Sequence, residues 1–187
     1  IKSGLLDLKV VLKNLDITDG EHLTLAGNLL FGIHPQKYSK SFYIDCVYFN
    51  GTDVNTNQFI TKDRMEGSFS ELYKQSLNFL KSTLRRIQDA ETFNTVGKLE
   101  IPEEAISELI INALVHRDYY INSSVKVFLF LDRLEIRSPG KLPNSLTIEK
   151  MKSGISIHRN PILNSLCQYI IPYSGLGSGI KRALNYY

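Results

Sequence analysis

The chain has 187 residues, 43% hydrophobic and 22% charged, which is enough apolar material for one sizeable core and too much for a disordered chain. Its 22 basic and 19 acidic residues leave a formal net charge of only +3, so charge by itself does not argue for a nucleic-acid partner. Two cysteines, Cys46 and Cys167, lie far apart without a CxxC pair and suggest neither a zinc site nor a disulfide framework, and no apolar run approaches the roughly 18 residues of a membrane helix.

Residues 4–15 carry apolar side chains at helical spacing, and 16–21 reads as a turn. Thr24 is a candidate cap for a short helix, LAGNLLF, that stops at Gly32, with Pro35 just beyond. FYIDCVYFNGTD (42–53) has strand propensity and contains the turn signal Asn50-Gly51. The longest amphipathic pattern, over 67–86, predicts a helix with Leu72, Leu77, Leu80 and Leu84 along one stripe and Ser70 as its cap. Pro102 followed by Glu103 and Glu104 marks the start of a helix that runs to about Val115 or His116. VKVFLFLDRLEIRSP (125–139) predicts two strands joined by a tight turn at Asp132-Arg133, the first apolar enough to be central. Shorter helices are expected over 146–153 and over 160–170, the latter with Pro161 at its start. Gly175, Gly177 and Gly179 then precede a helix opening at Ile180. The order mixes α and β elements without the regular alternation of a dinucleotide-binding fold.

Within the helix at 103–116, Glu108, Asn112 and His116 fall at i, i+4 and i+8 and span only about 80° of the helical wheel. Apolar residues occupy the rest. A carboxylate is costly to bury without a partner, so this ridge either faces solvent or lines a cleft. In a cleft, Glu108 could orient water as a general base. The amide oxygen of Asn112 is a hard ligand suited to Mg²⁺, which keeps several waters and bridges phosphates. The glycines of SGLGSGIKRAL (174–184) let backbone approach a ligand, and the helix that follows would point free N–H groups at an anion. A flexible loop entering a helix is the plainer alternative. RSPGKLP (137–143) leaves a strand through a Pro-Gly turn.

Taken in order, LTLAGNLLFG, FNGTD, ELIINALVHRDY, LEIRSPGKLP, SIHRNP and GLGSGI, from Leu23 to Ile180, resemble the C-terminal part of the RecG-related, Schlafen-type (Alba-like) transcriptional regulators. Their ATP-binding-like domain belongs to the GHKL superfamily of gyrase, histidine kinases and mismatch-repair ATPases. The resemblance implies an α+β fold: a two-layer α/β sandwich of GHKL (Bergerat) ATPase type, with a mixed sheet and the nucleotide between helices and one sheet face. It implies Glu108 as the water-activating residue and Asn112 as the Mg²⁺ ligand. His116, Ser138, Gly140, Gly175, Gly177 and Gly179 are then the further nucleotide-binding positions, with ATP and Mg²⁺ as cofactors. The chain departs from the superfamily's Asp-x-Gly-x-Gly adenine loop: Ser138 stands at the Asp position and Leu142 at the second Gly. A serine hydroxyl accepts a hydrogen bond without charge, so an Asp at 138 would be expected to strengthen the contact. His158 and Arg159 lie either where a lid approaches phosphates or on the surface.

Residues 1–40 are expected to be the remnant of an upstream region with linker helices, and 41–187 the ATP-binding domain, truncated at its C-terminus. The function implied is nucleotide binding or sensing in a cytoplasmic transcriptional regulator, at most a slow ATPase. DNA would be reached through flanking domains, a homodimer is a further partner, and no membrane is involved. The alternative is a degenerate, non-catalytic ATPase fold kept for dimerisation or interaction. His116-Arg117-Asp118 also matches the kinase HRD triplet, but the Asn spacing and a DFG are missing, and Asp118 is expected in the turn ending the helix, beside Arg117 or His116.

Overall fold

A computed structural model describes residues 7–54, 58–88, 97–143 and 145–173. Helix α1 (Leu8–Asn14) starts where the Asp7 carboxylate accepts the N–H of Lys9, and buries none of its residues. Helix α2 (Leu25–Phe31) is capped as expected: Thr24 Oγ1 accepts the N–H of Gly27 at 3.1 Å, and the helix ends at Gly32. Pro35–Lys37 forms a single 3₁₀ turn.

Helix α3 (Phe69–Thr83) lies on the expected stretch, but its cap is Ser68 and not Ser70. The reason is chemical. Ser68 has a glutamate three residues on, and Glu71 accepts from both the Ser68 N–H and its hydroxyl at 2.7 Å. Ser70 would have to close the same box with Tyr73, which carries no carboxylate. Leu72, Leu80 and Leu84 are buried along the expected stripe, Leu77 is half-buried, and Phe69, Tyr73 and Phe79 widen it.

Four strands form a mixed sheet in the order β2-β1-β5-β6. Strand β1 (Ile44–Phe49) pairs parallel with β5 (Val125–Leu129), which pairs antiparallel with β6 (Leu134–Arg137). So 125–129 is central, as its apolar run predicts. Strand β2 (Phe59–Met65) runs antiparallel to β1 at one edge. It has no counterpart among the sequence expectations, because FITKDRM lacks alternation: only Met65 is buried, and an edge strand with open faces needs no apolar side. A two-residue pair, β3 (Arg86–Ile87) with β4 (Lys98–Leu99), leads into helix α4 (Glu103–Val115).

Period-two alternation sorts the sheet into two faces. Ile44, Cys46, Val125, Val127 and Leu129 turn toward the helices and join Ile106, Ile110, Ile111 and Leu114 of α4 and the stripe of α3 in one core. Each such fully buried Leu or Ile contributes about 1.5–3 kcal/mol. The expected packing of 103–116 on the strands at 125–138 is therefore present. Ala26, Leu29 and Leu30 of α2 enter the same core. On the other face, Val47, Phe49 and Phe130 form a small cluster with Phe128, the rings of Phe49 and Phe130 stacked at 4.9 Å. The guanidinium of Arg133 lies 4.1 Å from the Phe130 ring and shields it from water. Helices α5 (Ile148–Lys152) and α6 (Pro161–Cys167) are each shorter than the expected segments. Among the described residues, no helix is long and apolar enough to cross a membrane.

Candidate functional site

The last turn of α4 leaves carbonyls that the helix cannot satisfy itself. Side chains from three separate segments meet them. Ser138 Oγ donates to Ala113 O at 2.6 Å, Tyr119 Oη to Leu114 O at 2.8 Å, and Asn160 Nδ2 to both Val115 O and Arg117 O at 2.8 Å. The end of α4, the loop after β6 and the start of α6 are thereby bound together.

A cavity of about 390 Å³ opens between α4, the loop after β6 and the segment around α5. Glu108, Asn112 and His116 line it along one wall, and Ser138 and Gly140 line it from the loop. Leu109, Ile136, Leu142, Met151 and Ile157 are among the apolar residues of the remaining wall. The polar ridge of an otherwise apolar helix thus faces a cavity, which is how α4 buries its other sides without burying a carboxylate against hydrocarbon.

Two contacts order the ridge. Asn112 Nδ2 donates to Glu108 Oε1 at 2.7 Å and to Glu108 O at 2.9 Å. The His116 ring stacks on that of His158, centroids 5.7 Å apart and planes 19° from parallel. Burial, then the charges of His158 and Arg159, lowers the His116 pKa to about 4, so the ring is neutral at physiological pH.

Gly140 is at φ +115°, and a Cβ there would lie 2.8 Å from the Asp118 Cβ and collide with the Arg159 guanidinium. Both neighbours are fixed. Arg159 Nη2 donates to Lys141 O at 2.6 Å and Nη1 lies 3.6 Å from the Asp118 carboxylate, while the Asp118 N–H donates to Pro139 O at 2.9 Å. Asp118 does sit in the turn after α4, but its charged partner is Arg159, not the adjacent Arg117 or His116. The adjacent residues lie in other directions. Arg117 is buried, with Nη2 donating to Ser41 Oγ at 3.0 Å and to Ser123 O at 2.6 Å. The HRD triplet is therefore a set of packing and clasp residues. Arg159 clasps the loop that carries Gly140, and His158 covers His116.

Gly175, Gly177 and Gly179, and the helix expected from Ile180, lie outside the described residues. Immediately before them, Tyr173 lines the cavity and donates its hydroxyl to Asn164 Oδ1 at 2.8 Å. Burial and, next, the Glu108 charge push its pKa up to about 12. Tyr173 carries no local signal in the sequence, and nothing local tells that Asn160, Leu142, Met151 and Ile157 meet at α4. Their placement follows from chain segments far apart meeting at α4.

A family model described as "Putative ATP-dependent DNA helicase recG C-terminal" matches residues 122–187. That family is ATPase-like, and the match spans β5 to the end of the chain while α4 precedes it. No curated protein matches the sequence. Among solved structures, the chain is similar to the DIP2311 protein from Corynebacterium diphtheriae, with 27% identity and a TM-score of 0.72 over 96% of this chain. The chain spans 36% of that protein.

Proposed function

We propose that the cavity beside α4 binds a nucleotide, ATP with Mg²⁺, in an arrangement of GHKL (Bergerat) type. The observation that carries this is the convergence of Glu108, Asn112, Ser138 and Gly140 on one largely apolar cavity of about 390 Å³. That size falls in the range of roughly 300–1,000 Å³ usual for small-molecule sites. The ATPase-like family matched by residues 122–187 supports it.

In this reading the apolar wall takes the base, and Ser138 accepts from its amino group. The Ser138 proton is committed to Ala113 O, so its lone pairs are what it can offer a ligand. Asn112 would hold the cation through Oδ1, since its N–H groups are occupied by Glu108. Among the described residues, no group of three or more His, Cys, Asp or Glu could hold a metal by itself. A cation that draws most of its ligands from phosphates and water fits that donor set, and this is the habit of Mg²⁺. When bound, the cation would neutralise charge on the phosphates. Glu108 would orient water for any hydrolysis, which would be slow. Gly175, Gly177 and Gly179 would approach the phosphates. The unit would take in α2 as well as residues 41–187, because Ala26, Leu29 and Leu30 share its core. In a longer cytoplasmic regulator it would sense nucleotide for DNA-binding domains on either side.

One observation favours a second reading. Ser138 is neutral and acts as a cap for α4, so the fold would hold together as a non-catalytic dimerisation or interaction module without ligand. Titration calorimetry with ATP and ADP, with and without Mg²⁺, separates the two. Mg²⁺-dependent binding at micromolar to millimolar nucleotide supports the first. Heats indistinguishable from dilution across that range refute it and leave the module.

A further inference from the structure

The contact between Glu108 and Asn112 bears on which of them governs ligand binding. A carboxamide is planar, with two donors on nitrogen and two lone pairs on oxygen. Here Nδ2 lies 2.7 Å from the Glu108 carboxylate and 2.9 Å from the Glu108 backbone carbonyl. Rotating the amide by half a turn would set Oδ1 against two acceptors, one of them charged. The orientation is therefore enforced by chemistry: with Nδ2 on both Glu108 acceptors, Oδ1 occupies the other arm of the planar amide. Asn112 lines the cavity, so Oδ1 is the atom it has left for a ligand.

We infer that Glu108 is a positioning residue for Asn112: its carboxylate holds the amide with the oxygen presented to the cavity, so Glu108 is required for cation-dependent ligand binding and not only for activating water. This rests on the nucleotide reading above. It separates two roles that one carboxylate can play. Water activation needs a group that takes a proton, which glutamine cannot supply. Holding the Asn112 amide needs only an acceptor at the right reach, which the glutamine oxygen provides. With alanine at 108 only the backbone carbonyl remains, which the helix already uses for its own i to i+4 bond. The amide then loses its stronger restraint and rotates.

The test compares wild type, Glu108→Gln, Glu108→Ala and Asn112→Ala, each checked by thermal melt. Titration with ADP, with and without Mg²⁺, measures how much the cation strengthens binding. Glu108→Gln is expected to keep that gain within about threefold, while Glu108→Ala loses about tenfold, the size of one hydrogen bond to a charged group. Asn112→Ala loses all of it. An undiminished gain in Glu108→Ala overturns the inference. So does an equal loss in Glu108→Gln, which would mean that the carboxylate charge acts on the cation directly. A second measurement needs no ligand: hydrogen exchange of the Asn112 side-chain NH₂ pair by ¹⁵N NMR. It should be slow in wild type and Glu108→Gln and about tenfold faster in Glu108→Ala. Equal rates in all three overturn the positioning role whatever the ligand. If wild type binds no nucleotide, the nucleotide reading falls, and the NMR rates alone decide whether Glu108 holds Asn112.

Discussion

His116 offers a quantitative check on the cavity wall. Burial first, then His158 and Arg159, brings its pKa down from 6.5 to about 4 in the folded protein. In the unfolded chain the imidazole returns to about 6.5. Between those values the unfolded chain binds a proton that the folded one does not, so folding loses stability as pH falls from about 6.5 to about 4. Above about pH 7 the ring is neutral in both states and contributes no pH dependence. A gap of about 2.5 units corresponds to about 3 kcal/mol, and because the ring is partly open to the cavity, about 2 kcal/mol is expected. Urea unfolding of wild type and His116→Gln, from about pH 7.5 to about pH 4.5, would measure it. Wild type should lose about 2 kcal/mol more than the variant over that interval. The carboxylates held below their usual range, among them Glu71 and Glu135, also lose stability in acid, but they are common to both proteins and cancel in the difference. Removing the stacked ring with His158→Ala should bring the His116 midpoint back toward its ordinary value. Parallel pH profiles for wild type and His116→Gln, or an NMR titration of His116 near 6.5, would show that the ring is not buried and uncharged in this wall.

Asn160→Ala removes two hydrogen bonds to carbonyls at the end of α4 and should cost about 2–3 kcal/mol by denaturant midpoint; an unchanged midpoint would mean that water satisfies both carbonyls. Ser138→Asp takes away the donor to Ala113 O and sets a carboxylate at the negative end of a helix, so melting should fall and ATP affinity should not rise; a gain near tenfold would restore the charged acceptor expected from the family loop. Gly140→Ala forces a side chain onto Asp118 and Arg159 at a positive φ and should lower stability by about 1–3 kcal/mol, with faster proteolysis at 139–142; wild-type proteolysis would show that the clasp yields without cost.

Local rules were enough for the elements whose signals lie within a few residues. Thr24, Pro102 with its two glutamates, and the apolar run at 125–129 each act through a neighbouring N–H, the helix dipole or side-chain alternation, and each stands where the sequence puts it. The i, i+4, i+8 ridge of Glu108, Asn112 and His116 was legible for the same reason, since helical geometry alone aligns it. Strand β2 and the pair β3–β4 were not, because an exposed edge strand needs no apolar face and leaves no pattern. The cap of α3 went to Ser68 through a glutamate partner that a single-residue rule overlooks. What the ridge faces was settled only by the tertiary fold. Ser138 reaches Ala113 across 25 residues and Asn160 reaches Val115 across 45, and these bonds bring the loop after β6 and the start of α6 to the end of α4. Carbonyls left open at a helix end can be met by any donor the chain delivers, so the sequence determines that they need partners, and chain packing decides which residues those partners are.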